Sequence, residues 1–407
     1  MKPSGIEWIG DIPDDWEVRK ITTLLDNIGS GTTPPNNTDF YENGIIPWLN
    51  TGDLTDNYVD LIENKITEYA LNQYSALKIF PKDSVVIAMY GATIGKLGIL
   101  RESASTNQAC CVMQCNDNLY FKFLFYSLYG YREYILTLSY GSGQPNISQK
   151  IIKDLRLPTP PLKTQQIIAD YLDEKCGEID ATIAKQKESI EKLKAYKQSL
   201  ISETVTKGLD KSAPLKPSGI KWLGEIPQNA RIIRLRFLSS IQTGDKDTVN
   251  RVENGKYPFY VRSPIVERID TFSFDGEAIL MAGDGVGAGK VFHYVNGKFD
   301  YHQRVYNIHN LKGVLGKFLY YYLRENFYKE IEQSNAKSTV DSIRLPMLLD
   351  FPIIVYPYDL QKEMVSFLDK KVAEIDAIII KKQNIIQKLD AYKKSLIFEC
   401  VTGKQIT

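Results

Sequence analysis

A basic excess is the first thing this 407-residue sequence lacks: 50 Lys and Arg stand against 49 Asp and Glu, a net charge of +1. Proteins that neutralise many phosphates unaided carry an obvious positive surplus. Any nucleic-acid contact must therefore come from local patches, or from partners that bring their own charge. Long apolar runs are also missing. Nothing approaches the ~18 residues of a membrane span, and no charged lead precedes an apolar stretch at the N-terminus, so the expected location is the cytoplasm, with no membrane partner. Histidine is scarce, with only His293, His302 and His309, too scattered for a metal centre. The five cysteines (Cys110, Cys111, Cys115, Cys176, Cys400) lack zinc-site spacing and read as reduced thiols.

Catalytic motifs are absent too. GATIGK (91–96) is one residue short of a phosphate loop and is followed by Leu97 instead of Ser or Thr; the related Gly289-Lys290 is followed by Val291. An amino-methyltransferase needs an Asn/Asp-Pro-Pro-aromatic loop, and the nearest strings, TPPN (33–36) and TPPL (159–162), lack both ends of it. Asp14, Glu17 and Arg19 lie too close together for a metal-dependent nuclease. No catalytic or metal residue is assigned, and the chain reads as a non-enzyme.

What is present is a duplication. KPSGIEWIGDIP (2–13) returns as KPSGIKWLGEIP (216–227), with nine of twelve positions identical. A longer segment, 165–206, aligns without a gap on 361–402. Between these shared blocks lie stretches that agree only faintly, as in YGATIGKLG (90–98) against AGDGVGAGK (282–290). The plan is variable, shared, variable, shared.

Each shared block reads as a long helix. With Leu172 at heptad position d, the apolar seam runs through Leu172, Ile179, Ile183, Ile190, Leu193 and Leu200. In the second copy it runs through Leu368, Ile375, Ile379, Ile386, Leu389 and Leu396. Two such stripes in one chain favour a coiled coil with each other. Connectivity favours the antiparallel arrangement, because the second variable block links the end of one helix to the start of the next. Prolines before each helix and Gly208 and Gly403 after them fit as boundaries. The variable blocks read as α+β: strands over 82–91, 108–115 and 276–283, and aromatic-rich helices over 121–139 and 316–333. The predicted fold is α+β, with two mixed domains, two long antiparallel helices and a pseudo-two-fold from internal duplication. Its divisions are 1–161, 162–208, 209–357 and 358–407.

The paired KPSGI openers, the paired helices carrying EID, AYK and VT, and the two divergent blocks between them resemble the specificity subunit of Type I restriction-modification enzymes over essentially the full chain. The resemblance implies that 1–161 and 209–357 are target recognition domains, each reading one half of a bipartite, asymmetric site in double-stranded DNA. It implies that the helices are spacers docking two modification (methyltransferase) subunits, and that restriction (translocase/nuclease) subunits join them. S-adenosylmethionine, ATP and Mg are then expected in those partner subunits, with no cofactor in this chain. Helices of ~35 residues span roughly 50 Å, against ~34 Å per DNA turn, so the helix length would set the gap.

DNA contacts are expected from polar and basic residues near glycine-rich loops. The first block offers Ser30, Thr32, Thr33, Lys96, Ser142, Gln144, Asn146 and Ser148. The second offers Lys246, Arg262, Lys290, Asn335, Lys337 and Ser338. Trp8 and Trp222, in the shared opener, read as packing residues. The alternative is a coiled-coil adaptor that binds protein without DNA specificity.

Overall fold

A computed structural model describes residues 1–140, 145–334 and 342–405. The chain divides into two compact units, Met1–Gln186 with Asn384–Thr407, and Lys187–Gln383. Two long helices, Leu162–Lys207 and Tyr358–Val401, contribute segments to both.

The first unit is built on a five-stranded sheet in the order Leu25–Gly29, Cys110–Cys115, Val85–Ala88, Leu97–Leu100, Asn57–Val59. Both of its faces are covered. Val85, Ile87, Cys111 and Met113 join one core, while Val86, Ala88, Cys110 and Val112 join another. A strand buried on both sides gains nothing from alternating polarity, which is why these segments read as continuous apolar runs. The expected 121–139 helix is two helices, Phe121–Gly130 and Arg132–Thr137, broken at Tyr131. A Cβ at Gly130 would stand 3.3 Å from Val401 and 3.4 Å from Phe398, so the helix there packs close against the C-terminal helix segment.

The second unit repeats the plan. Its six-stranded sheet runs Ser240–Thr243, Val305–His309, Phe274–Ala282, Phe292–Tyr301, Tyr257–Tyr260, Glu267–Ile269. The aromatic-rich helix Gly316–Ser334 sends Phe318, Leu319, Tyr322 and Leu323 into a core with Ile279, Met281 and Ile308.

Within each unit the long-helix segments pair antiparallel. In the first, Lys393 binds Asp180 at 2.6 Å and Gln405 binds the Tyr171 hydroxyl at 3.3 Å. In the second, Lys197 binds Asp376 at 2.5 Å, and Gly208 lies beside the Met364 methyl. The Lys of each AYK thus pairs with the Asp of the other copy's EID. The residues assigned to the seam are buried or half-buried: Leu172, Ile179, Ile183, Ile190, Leu368, Ile375, Ile379 and Leu396 are buried, and Leu193, Leu200, Ile386 and Leu389 half-buried. The first helix ends on Gly208 at φ 82°, a conformation that favours glycine.

Two further contacts recur. Gln165, fully buried, donates to the carbonyls of Asn118 (3.0 Å) and Pro160 (2.9 Å) and accepts from the Tyr120 amide (2.8 Å). Gln361 does the same with Gly313 (3.3 Å), Tyr356 (2.8 Å) and Leu315 (2.8 Å). Asp173 accepts from Lys122 and Tyr126, as Asp369 does from Lys317 and Tyr321. These side chains bind the start of each helix to the sheet domain before it.

Candidate DNA interface

At one end of each sheet, a hairpin loop, the entry to a neighbouring strand and an incoming polar segment meet. In the first unit the Met89 amide binds the Ala109 carbonyl (2.8 Å), and the Ile147 amide binds the Met89 carbonyl (2.7 Å). In the second, the Gly283 amide binds the Arg304 carbonyl (2.8 Å), and the Ile343 amide binds the Gly283 carbonyl (2.6 Å). The hairpins close alike, Gly95 onto Ala88 at 2.8 Å and Gly289 onto Ala282 at 2.9 Å. This register sets Tyr90 opposite Asp284, two residues away from where matching the two strings end to end puts it. Ala109 corresponds to Arg304. Asn107 binds the Leu49 carbonyl (3.0 Å) as His302 binds that of Tyr260 (2.9 Å), which sets Thr51 opposite Arg262.

A glycine is required beside each loop. A Cβ on Gly31 would fall 1.7 Å from the Thr106 carbonyl oxygen, and one on Gly244 2.0 Å from that of Tyr301. The chain passes directly over the neighbouring backbone at both places.

In the first unit, Ser30 accepts from the Gln149 amide at 2.6 Å and Thr33 donates to Gln108 at 2.7 Å. The Thr32 carbonyl accepts from the Trp48 indole at 3.1 Å. Asn146 bridges in β fashion to both Tyr90 and Tyr140. Ser148 caps the helix Gln149–Asp154, accepting from the Ile151 amide. Its hydroxyl therefore has a structural role. Lys96 is exposed on the hairpin. Ser142 and Gln144 lie outside the described residues. Tyr90, Asn107 and Gln108, which share this loop cluster, were not singled out from sequence. The available signal was the Gln retained in both copies, Asn107-Gln108-Ala109 against His302-Gln303-Arg304.

The second unit holds charges in the same frame. Arg262 binds Asp284 at 3.1 Å, and the Arg304 Nε stands 3.6 Å from the other Asp284 oxygen. Lys246 lies 3.4 Å from Asp245, and Gln303 donates to Asp247 at 2.8 Å. His302, buried beneath, accepts the Arg304 amide through Nδ1 (2.9 Å). Burial, and then the Arg262 charge, push its pKa below the ordinary histidine value. Lys290 lies instead over the Tyr328 ring, 4.2 Å from its centroid. Asn335, Lys337 and Ser338 lie outside the described residues. Asp284 and Arg304 were not singled out from sequence, because only the fold brings three separate segments to one carboxylate.

The opener tryptophans pack inward. Trp8 stacks on Tyr134 at 4.2 Å between centroids, and Trp222 on Phe351 at 5.9 Å. The cysteines are free thiols, and among the described residues no cluster of His, Cys, Asp or Glu could hold a metal ion.

The model of the Type I restriction modification DNA specificity domain matches twice, over residues 13–194 and 232–389. The chain belongs to this family. Its relatives are named as specificity subunits of Type I restriction enzymes. The Type I restriction enzyme MjaVIII specificity subunit of Methanocaldococcus jannaschii is 25% identical over 97% of this chain and 93% of that protein. The EcoDI specificity subunit of Escherichia coli is 27% identical over 44% of this chain and 40% of its own length. A chain of a solved type I R-M system aligns with TM-score 0.76 and 14% identity, covering 97% of this chain and all of that one (100%). The HsdS subunit of Thermoanaerobacter tengcongensis aligns with TM-score 0.53 and 14% identity, covering 97% and 98%. Among the described residues no helix is long and apolar enough to cross a membrane.

Proposed function

We propose that this specificity chain reads a bipartite, asymmetric DNA target, with one half-site for each variable domain, 1–161 and 209–357. The observation that carries the reading is one backbone frame presented twice with different chemistry at its tip. The first frame holds hydroxyls and amides: Thr33, Tyr90, Asn107 and Gln108. The second holds Arg262, Arg304, Asp284 and Lys246. A duplicated protein-binding scaffold would have no reason to keep the glycine-dependent loop geometry while exchanging its polar tips. Two readers of unlike base sequences need that combination, since base edges are distinguished by donor and acceptor pattern.

The helices serve as spacer and as dock for two copies of a modification subunit. Lys192, Tyr196 and Ser199 lie on one exposed helix face in one unit, and the same residue types, Lys388, Tyr392 and Ser395, are exposed in the other. Both tyrosines are 56% exposed. Surface positions unconstrained by packing drift apart after duplication, so their retention supports two equivalent partner contacts. Restriction subunits join the same assembly, in the cytoplasm where its DNA is. S-adenosylmethionine, ATP and Mg belong to the partners.

The test is base-resolution methylation mapping of random-sequence DNA incubated with this chain, its modification subunit and S-adenosylmethionine. A two-part motif with a fixed gap is expected, and exchange of 209–357 for another variable block should change one half only. If the partner binds but no motif emerges, the chain is a protein-binding adaptor.

A further inference from the structure

Three segments of the second unit end at one carboxylate. Arg262 follows the strand Tyr257–Tyr260, Asp284 opens the hairpin loop after Phe274–Ala282, and Arg304 leads into Val305–His309. The loop is held from its other side by the bridge between Asp284 and Ser342. Arg262 approaches one oxygen of Asp284 at 3.1 Å and Arg304 the other at 3.6 Å. The carboxylate is the less exposed partner, at 21%, while the Arg304 side chain is 64% exposed. Asp284 thus draws the exposed Arg304 side chain towards the loop by charge attraction, without a hydrogen bond that would occupy the guanidinium's donors.

We infer that Arg304, oriented by Asp284 and Arg262, reads a guanine in the half-site taken by the second domain. This rests on the bipartite-target reading above. The chemistry favours a base over a phosphate. Asp245, Asp247 and Asp284 accompany Lys246, Arg262 and Arg304, so the local charge cancels, and a carboxylate beside the fork repels a phosphate oxygen. A guanine edge presents two acceptors, O6 and N7, which a guanidinium fork matches with two parallel donors. The cytosine paired with it offers an N4 donor, the complement of a carboxylate oxygen. A G·C pair therefore suits both members of the constellation. The first domain cannot make this contact, because its corresponding positions are Ala109, Tyr90 and Thr51.

The methylation map made with Arg304→Ala tests this. The variant should lose, by roughly 5- to 150-fold, its preference for guanine at one position. The other half of the motif should be unchanged, which also reports that the chain is folded and assembled. Unmutated protein should lose binding by a comparable factor on DNA carrying 7-deazaguanine at that position, where N7 is removed. Weakening that is uniform across all sequences, with a shallower salt dependence, would identify a phosphate contact and overturn the proposal. An unaltered motif would overturn it as well. A wild-type map without any motif would defeat the bipartite reading itself, which neither of those two results would do.

Discussion

Gln165 and Gln361 show how one side chain can tie a helix to a domain. Each amide binds two carbonyls and one backbone N–H, and in each set one carbonyl, that of Pro160 or of Tyr356, is bound in a buried position. Replacing Gln165 with Leu keeps the bulk and removes all three bonds. Urea unfolding should show a loss of about 2–3 kcal/mol, the penalty for buried groups left without partners. A loss under about 0.5 kcal/mol would mean that those groups find other partners. The residue was visible in the sequence as an identity between the copies, yet its role was not, since its partners lie 45 to 47 positions away or across a proline turn. The seam residues were easier: an apolar side chain repeating every three or four positions has only one way to be buried on a helix. The polar site residues carry no such periodicity. Ser148, singled out from sequence as a DNA contact, caps a helix, a role that Ser at a helix start takes through its hydroxyl oxygen.

At the scale of elements, the second unit carries every histidine of the chain: His293 and His309 lie in its sheet and His302 just after the strand Phe292–Tyr301. Burial lowers the pKa of all three, with the Arg262 charge adding to the effect at His302. The unfolded chain protonates them near pH 6.5, while the folded sheet keeps them neutral to lower pH. The unfolded state therefore binds more protons in that window. Their contribution to stability is present above about pH 6.5 and is lost as pH falls from there through the lowered folded values. Hydrogen exchange at pH 7.5 and 5.5 should show the strands Phe292–Tyr301 and Val305–His309 losing protection. Equal losses in Val85–Ala88 and Cys110–Cys115 of the first unit, which contains no histidine, would assign the effect to carboxylates instead.

For the whole molecule, the proposed spacer role makes a metric prediction. Inserting one heptad into each long helix adds roughly 10 Å at ~1.5 Å per residue. With base pairs ~3.4 Å apart, the gap in the methylated motif should widen by about three base pairs while both halves stay the same. Placing the insertions after Gln186 and after Ile386, which the Lys393–Asp180 register sets opposite each other, preserves the seam on either side. A gap that does not move would mean that something other than helix length measures the DNA.

The duplication, the long helices with their seam, the mixed character of the variable blocks and the family are all legible in the order of the amino acids. These are local or repeated properties: heptads act over a few residues, buried strands need apolar runs, and a copied segment is legible wherever it lies. What stands at the tip of each sheet depends instead on register and on chain crossings. Strand register equates Tyr90 with Asp284 and Ala109 with Arg304. Chain crossings make Gly31 and Gly244 obligatory, and contacts over 20 and 22 positions bring Arg304 and Arg262 to one carboxylate. Such a site is assembled from segments that share no local pattern, so its chemistry exists only once the sheet has brought them together.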